Sequence, residues 1–277
     1  LYLRDFVKEA KAWGLTHLGD ANAKDEYWGR LPGPVRERIS RMTVDALERE
    51  QYVDFLVNRA FRRSVLCRSE AAPAGTGLAL NAIRNLYITG NPAEKSAGTN
   101  AAGQAILQFG TEPEVVQLTD PRPIAVMRHL SKAWPRALPF SELAAVANAH
   151  SPGGPEDSEK NAASLLRVID TCRVLGIVEI GTRPTDFIAA TAGKHPRATR
   201  VARWQAAHHS SITSLRHLRI KADDLLRQII PLLDGTRDRG ALVTELDKRN
   251  QGTRARFEET IDLILQRLAN ASLLVNE

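Results

Sequence analysis

Near the start of the chain, Leu3, Phe6, Val7 and Ala10 stand three and four positions apart, the spacing of one helix face. Gly14 follows where a left-handed residue can end such a helix. Leu15-Thr16-His17-Leu18 is a short strand candidate. The loop Leu31-Pro32-Gly33-Pro34 leads to a helical turn over 35–39 and then to a long helix that the pattern carries to about Arg63. Within it Tyr52, Phe55 and Leu56 recur at i, i+3 and i+4 and are expected to face a core. Ser64-Val65-Leu66-Cys67 is apolar and partly β-branched, so the helix feeds a strand. Ala71-Ala72-Pro73-Ala74-Gly75-Thr76-Gly77 reads as a loop. Leu86-Tyr87-Ile88 and residues 105–109 are further strands, separated by Gly90-Asn91-Pro92 and a polar stretch. Residues 1–118 thus read as a small α+β domain with a mostly antiparallel sheet.

The remainder repeats one pattern. Helices are expected over 124–130, 138–147 and 161–175, the last ended by Gly176 before the strand Ile177-Val178-Glu179-Ile180. The order recurs as helices over 225–233, 241–248 and 257–268, followed by Leu273-Leu274-Val275. Three helices and a strand are the layout of a winged helix. In the first copy Gly181-Thr182-Arg183-Pro184-Thr185-Asp186 is expected to turn a wing back into Phe187-Ile188-Ala189. The fold class is α+β: a small mixed domain over 1–118, then two mainly helical, winged-helix-like domains over 119–190 and 191–277. Asp120-Pro121-Arg122-Pro123 marks the boundary as a proline helix start.

Charge is uneven. Residues 1–117 carry 15 basic and 14 acidic side chains, so +5 of the net +6 falls in the rest. Residues 187–222 contain no acid, yet hold seven Lys and Arg and four of the seven histidines. This stretch reads as a basic connector, or as a surface for an acidic partner. In the second case Val201 and Trp204 anchor its helix and Arg197, Arg200 and Arg203 face outward, with Arg216 and Arg219 as further candidate partner-binding residues.

No apolar run approaches the roughly 20 residues of a membrane span, and Arg4, Asp5, Lys8, Glu9 and Lys11 exclude a signal peptide at the start. Cys67 and Cys172 lie far apart with no ligand-spaced partner, which suits reduced thiols in a cytoplasmic protein and not a metal site. The chain starts at Leu1, already in a helical pattern, as a piece of a longer protein would.

Catalytic motifs are wanting. The one glycine-rich candidate for a cofactor turn, Ala74-Gly75-Thr76-Gly77-Leu78, lacks a third glycine and follows a Pro-containing loop. There is no Gly-x-Ser-x-Gly elbow and no His-Glu-x-x-His helix. Asp45, Glu48 and Asp54 are expected in salt bridges with Arg41, Arg49 and Arg59. A sequence pI near 9.5 suits nucleic acid, but Glu156, Asp157 and Glu159 in the loop and first turn of one third helix and Glu258, Glu259 and Asp262 in the other would repel phosphate.

The run from Glu50 to Cys67, the opening from Phe6 to Ala21 with Trp13-Gly14-Leu15-Thr16-His17-Leu18-Gly19-Asp20-Ala21, and Leu232-Leu233-Asp234-Gly235-Thr236-Arg237-Asp238 resemble a family of bacterial class I S-adenosylmethionine-dependent methyltransferases. The family includes the protein-lysine methyltransferases that modify rickettsial outer membrane protein B. The resemblance covers most of 1–118, loosely over 75–103, and departs around Gly75–Gly77 and Ser151–Glu156. It implies a regulatory domain that lies beside a catalytic domain and contributes to subunit contacts, a homodimer among them. It implies a C-terminal region that recognises a protein substrate. S-adenosylmethionine would then bind a catalytic domain missing from this chain, and no catalytic, cofactor-binding or metal residue carries over. Two readings stand against it: a winged-helix nucleic-acid binder, and a stand-alone protein-interaction scaffold.

Overall fold

The computed structural model describes residues 1–21, 28, 31–73, 80–150, 158–250 and 254–276. Helix α1 (Leu3–Ala12) buries Leu3, Val7 and Ala10, the face its spacing predicts. It ends at Gly14, which takes φ +70°. Strand β1 (Leu15–Asp20), helices α2 (Gly33–Met42) and α3 (Ala46–Leu56), and strand β2 (Ser64–Arg68) complete the first unit. β1 and β2 pair antiparallel from Leu15↔Arg68 to Asp20↔Ser64, with an irregularity between His17 and Gly19.

The segment expected over 35–39 is helix α2, and the long helix expected to reach Arg63 is α3, which starts at Ala46 and stops at Leu56. That start has a local cause. The Asp45 carboxylate accepts from the Glu48 amide at 2.8 Å, and Thr43 Oγ1 donates to Glu48 Oε2 at 2.7 Å, so side chains satisfy the start of α3. Beyond α3, Asn58 turns left-handed at φ +49°, which Asn tolerates better than most residues. The expected face is also corrected. Val53 is 4% exposed and Asp54 is buried beside it, whereas Phe55 and Leu56 are each 57% exposed.

The middle of the chain contains β3 (Tyr87–Thr89), β4 (Glu94–Thr99), β5 (Ala105–Thr111), β6 (Glu114–Leu118), α4 (Pro121–Ala133), β7 (Leu138–Pro139), α5 (Phe140–Ala149), α6 (Ser158–Val174) and β8 (Glu179–Gly181). The polar stretch over 94–99 is itself a strand, and β4-β5-β6 form an antiparallel meander. Gly110 is required there: it takes φ +114°, and a Cβ would lie 2.3 Å from the Glu114 carbonyl oxygen. α4 begins at Pro121 with the Asp120 side chain as its cap, the start the sequence predicts.

Strand β3 does not join the meander. It lies between β7 and β8, with Ile88 opposite Leu138 on one side and Ile180 on the other. The predicted wing is therefore not a hairpin of 177–180 with 187–189. β8 pairs with β3, while Ile188 bridges to Val275 and the Ala189 amide donates to the Leu274 carbonyl at 3.0 Å. One core joins Ile83, Ile88, Phe109 and Leu118 to α4, α5 and α6 through Met127, Leu143, Leu166 and Ile169, so packing runs across residue 118.

The last unit consists of β9 (Arg197–Ala198), α7 (Arg200–His208), β10 (Ser211–Thr213), β11 (Arg219–Lys221), α8 (Asp224–Ile229), α9 (Arg239–Arg249), α10 (Arg254–Asn270) and β12 (Leu274–Val275). The basic stretch is thus no connector. Thr199 caps α7, and Ala198, Ala202, Ala206, Ile212 and Ala222 enter the same core as Leu242, Leu246, Leu265 and Leu273. Small residues on the inner face of α7 let it approach that core closely, a signal that charge counting conceals.

Placing a carboxylate at Val53 buries an unpaired charge, whereas one at Phe55 stays in water. Val53→Asp should lower the thermal midpoint by several degrees, on the order of a 2 kcal/mol loss or more, and Phe55→Asp should leave it nearly unchanged. Thermal unfolding followed by circular dichroism checks both.

Candidate functional site

Three side-chain groups concentrate the polar chemistry of the described residues. The first lies where β1, α3 and the approach to β2 meet. Arg62 forks onto Asp54, with Nε 2.9 Å from Oδ2 and Nη2 2.8 Å from Oδ1, and its Nη1 reaches Glu50 Oε2 at 2.8 Å and Asp20 Oδ2 at 3.2 Å. Arg59 Nη1 donates to the same Asp20 oxygen at 3.0 Å. The Arg62 side chain is only 12% exposed and that of Asp20 4%. Asp54 pairs with both arginines, although Arg59 lies 3.8 Å off; Glu48 meets Thr43 and Arg4, and Asp45 acts as a cap. The expected pairs of Asp45 with Arg41 and Glu48 with Arg49 are therefore replaced. His17 sits near this cluster, and burial holds its imidazole below the usual histidine range, opposed by Glu50. Beside the cluster opens a groove of about 540 Å³ walled by Tyr2, Phe6, Phe55 and Phe61.

The second group joins the middle of the chain to its end. The Arg216 guanidinium lies 4.9 Å over the Trp134 ring, donates to the Pro135 carbonyl at 3.4 Å and pairs with Glu179. Trp134 Nε1 donates to the Asn270 carbonyl at 2.7 Å. The Arg216 side chain is 7% exposed, so this candidate partner-binding residue is consumed inside the chain.

The third group is the helix α7 surface. Arg200 is exposed, as is Arg197 just before it on β9, against the turn at Gly235. Arg203 is half-buried, and its Nε has no hydrogen-bond partner among the described residues. Arg219 is exposed on β11 and donates from Nε to Ser211 Oγ at 3.1 Å. Val201 and Trp204 are not anchors: they are 60% and 57% exposed, and Ala202 and Ala206 point inward in their place.

The Leu232–Asp238 motif is structural. Asp234 accepts from the Thr236 hydroxyl at 2.6 Å and amide at 2.9 Å, and from Arg237 Nη1 at 2.6 Å, while Asp238 caps α9. The Thr236 hydrogen bonds and the Arg237 guanidinium hold the Asp234 carboxyl well below the usual carboxylate range. The glycine-rich Ala74–Leu78 candidate, Glu156, Asp157 and the departure at Ser151–Glu156 lie outside the described residues. Among the described residues no three His, Cys, Asp or Glu side chains gather as a metal site would need, and no helix is long and apolar enough to cross a membrane. Cys172 is a core thiol, its pKa pushed up to about 12 by burial.

Removing Arg62 leaves two buried carboxylates short of their main counter-charge. Arg62→Ala should cost about 3–5 kcal/mol in urea unfolding, and Arg62→Lys should recover only part because it loses the fork. For Asp234, a depressed folded pKa gives stability that is present above the unfolded value near 4 and lost as pH falls below it. Asp234→Asn should therefore flatten the acid limb of a stability-against-pH curve measured by urea unfolding at each pH.

Residues 1–68 match the family model for a predicted methyltransferase regulatory domain, and residues 194–260 match that for the PKMT C-terminal winged helix domain. Over 258 residues the chain is 25% identical to RP789, an uncharacterized protein of Rickettsia prowazekii (strain Madrid E), covering 87% of this chain and 44% of that one. The structure of PKMT2 from Rickettsia typhi superposes with a TM-score of 0.81 at 20% identity, over 99% of this chain and 58% of that one, and its complex with AdoHcy does equally. At that identity the likeness speaks for the fold. The chain spans less than half the length of the rickettsial relative RP789. Its start is thus similar to a predicted methyltransferase regulatory domain, and the stretch toward its end to the PKMT C-terminal winged helix domain.

Proposed function

We propose that this chain is the non-catalytic regulatory and partner-recognition portion of an S-adenosylmethionine-dependent protein methyltransferase. The observation that carries the reading is the pair of family matches at 1–68 and 194–260, in that order on one chain. The shared fold with PKMT2, which also has a structure in complex with AdoHcy, supports S-adenosylmethionine as the cofactor of a catalytic domain outside these residues. In this reading residues 1–68 belong to the regulatory part, the rest of 1–118 packs with the winged-helix-like part over 119–190, 191–277 form the second such part, and the whole works in the cytoplasm. The chain's partners are that catalytic domain, a protein substrate and, through the exposed Phe55, Leu56 and Phe61 surface, a second copy.

The chemistry of the described residues fits this division of labour. The buried Arg59, Arg62, Asp20 and Asp54 pair with one another as structural ion pairs. Nucleic acid is the weaker partner, since the exposed face of α10 presents Glu258, Glu259 and Asp262 where a groove-reading helix would need neutral or basic groups.

The test is transfer of labelled methyl groups from S-adenosylmethionine to a protein acceptor by a catalytic domain of this type, with and without residues 1–277. The chain alone is expected to transfer nothing, and its addition to change transfer by about tenfold or more, a coupling of ordinary size. Transfer by the chain alone, or identical rates with and without it, would overturn the proposal.

A further inference from the structure

We infer that the solvent face of α7 is a docking site for an acidic protein segment, with Trp204 as its apolar anchor. The inference rests on reading this part of the chain as a recognition module and adds the surface and the chemistry it accepts. Arg200, Val201, Trp204 and His208 fall at i, i+1, i+4 and i+8 and share the exposed side of the helix, opposite the buried Ala202 and Ala206.

Trp204 is fixed in place before any partner arrives. Its ring stacks on His208 with centroids 5.0 Å apart and planes at 26°, and meets His209 edge-on at 5.0 Å. His208 is held in turn by a 2.8 Å hydrogen bond between Nδ1 and the Trp204 carbonyl oxygen. An indole that is 57% exposed yet clamped between two imidazoles loses little conformational freedom on binding. Exposed tryptophan flanked by arginine is the composition of an interface hot spot.

Charge selects the partner. Residues 187–222 contain no acid. Lys194, Arg197, Arg200 and Lys221 are exposed and have no carboxylate partner among the described residues. The carboxylates on neighbouring elements are Asp223 and Asp224 at the start of α8 and Asp234 beside β9. Asp223 caps α8, and Asp234 is engaged by Thr236 and Arg237. The surface is therefore basic around an apolar centre of Val201 and Trp204. A phosphate backbone satisfies the charges but offers no aliphatic side chain for Val201. A carboxylate-rich peptide with an apolar residue satisfies both.

The test is fluorescence anisotropy of a labelled peptide of about a dozen residues, mostly Glu with Leu interspersed, titrated with the whole 277-residue chain. Binding should be salt-sensitive. Trp204→Ala should weaken it about tenfold or more, and Trp204→Phe should restore much of the loss. Arg197→Glu and Arg200→Glu, each alone, should weaken it several-fold, while Arg167→Glu on the exposed side of α6, a matched single charge reversal, should not. Absence of peptide binding by the unaltered chain, or equal binding by Trp204→Ala, overturns the inference. So does tighter binding of a single-stranded oligonucleotide of equal charge with the same loss in Trp204→Ala, which would assign the surface to nucleic acid. No methyl transfer enters this readout, so a failed transfer assay and a failed docking surface are told apart.

Discussion

Strand β3 is the constraint on which the middle of the molecule depends. β7 has two residues and β8 three, too few to make a sheet on their own, and β3 supplies the backbone partners for both. The close fit continues past its end. A Cβ on Gly90 would stand 3.0 Å from the Ile177 carbonyl oxygen and 3.1 Å from Val178 Cγ1, so a larger residue there would require its neighbours to give by a few tenths of an ångström. Ile88, fully buried, then contributes on the order of 1.5–3 kcal/mol of apolar burial at the junction. A strand lying far before the three helices is thus a structural member of the winged-helix-like unit it precedes.

From that junction rigidity passes in two directions by different means. Toward the C-terminal unit it passes through Trp134, Arg216, Glu179 and the Asn270 carbonyl, and through the pairing of 188–189 with β12. These contacts combine a cation over a ring with main-chain hydrogen bonds, so they fix orientation as well as distance. The N-terminal unit relies on charge instead. Arg59 and Arg62 gather Asp20 from β1 and Glu50 and Asp54 from α3, and the unit's apolar residues remain largely at the surface. A unit that holds itself together with ion pairs and exposes Phe55, Leu56 and Phe61 is suited to being covered by another protein surface.

Local signals in the sequence were strong where one residue decides the outcome. Gly14 and Gly176 end helices with φ +70° and +69°, Pro121 starts one, and the Leu3–Ala10 stripe faces inward. The signals failed where tertiary partners decide. The Tyr52, Phe55 and Leu56 spacing is helical, but the inward face of α3 is set by Val53 and by Asp54, whose arginine lies eight residues on across a turn. Pairing of β3 with strands fifty and ninety residues away leaves no local trace. The acid-free stretch read as a connector because its inward residues are alanines, which carry little periodic signal. Of the five candidate arginines, charge alone could not separate Arg216, taken up by Trp134 and Glu179, from the exposed Arg197, Arg200 and Arg219.

The described residues thus comprise a charge-stapled N-terminal unit, a strand-locked middle and a C-terminal unit with a preset aromatic on a basic helix. The central claim is that a cofactor-binding methyltransferase domain belongs with this chain. The most direct measurement is to read the coding sequence immediately upstream of the codon for Leu1. The account predicts an in-frame extension with an acidic, glycine-rich cofactor turn following a strand. A start codon directly before Leu1, with no such domain, would contradict it.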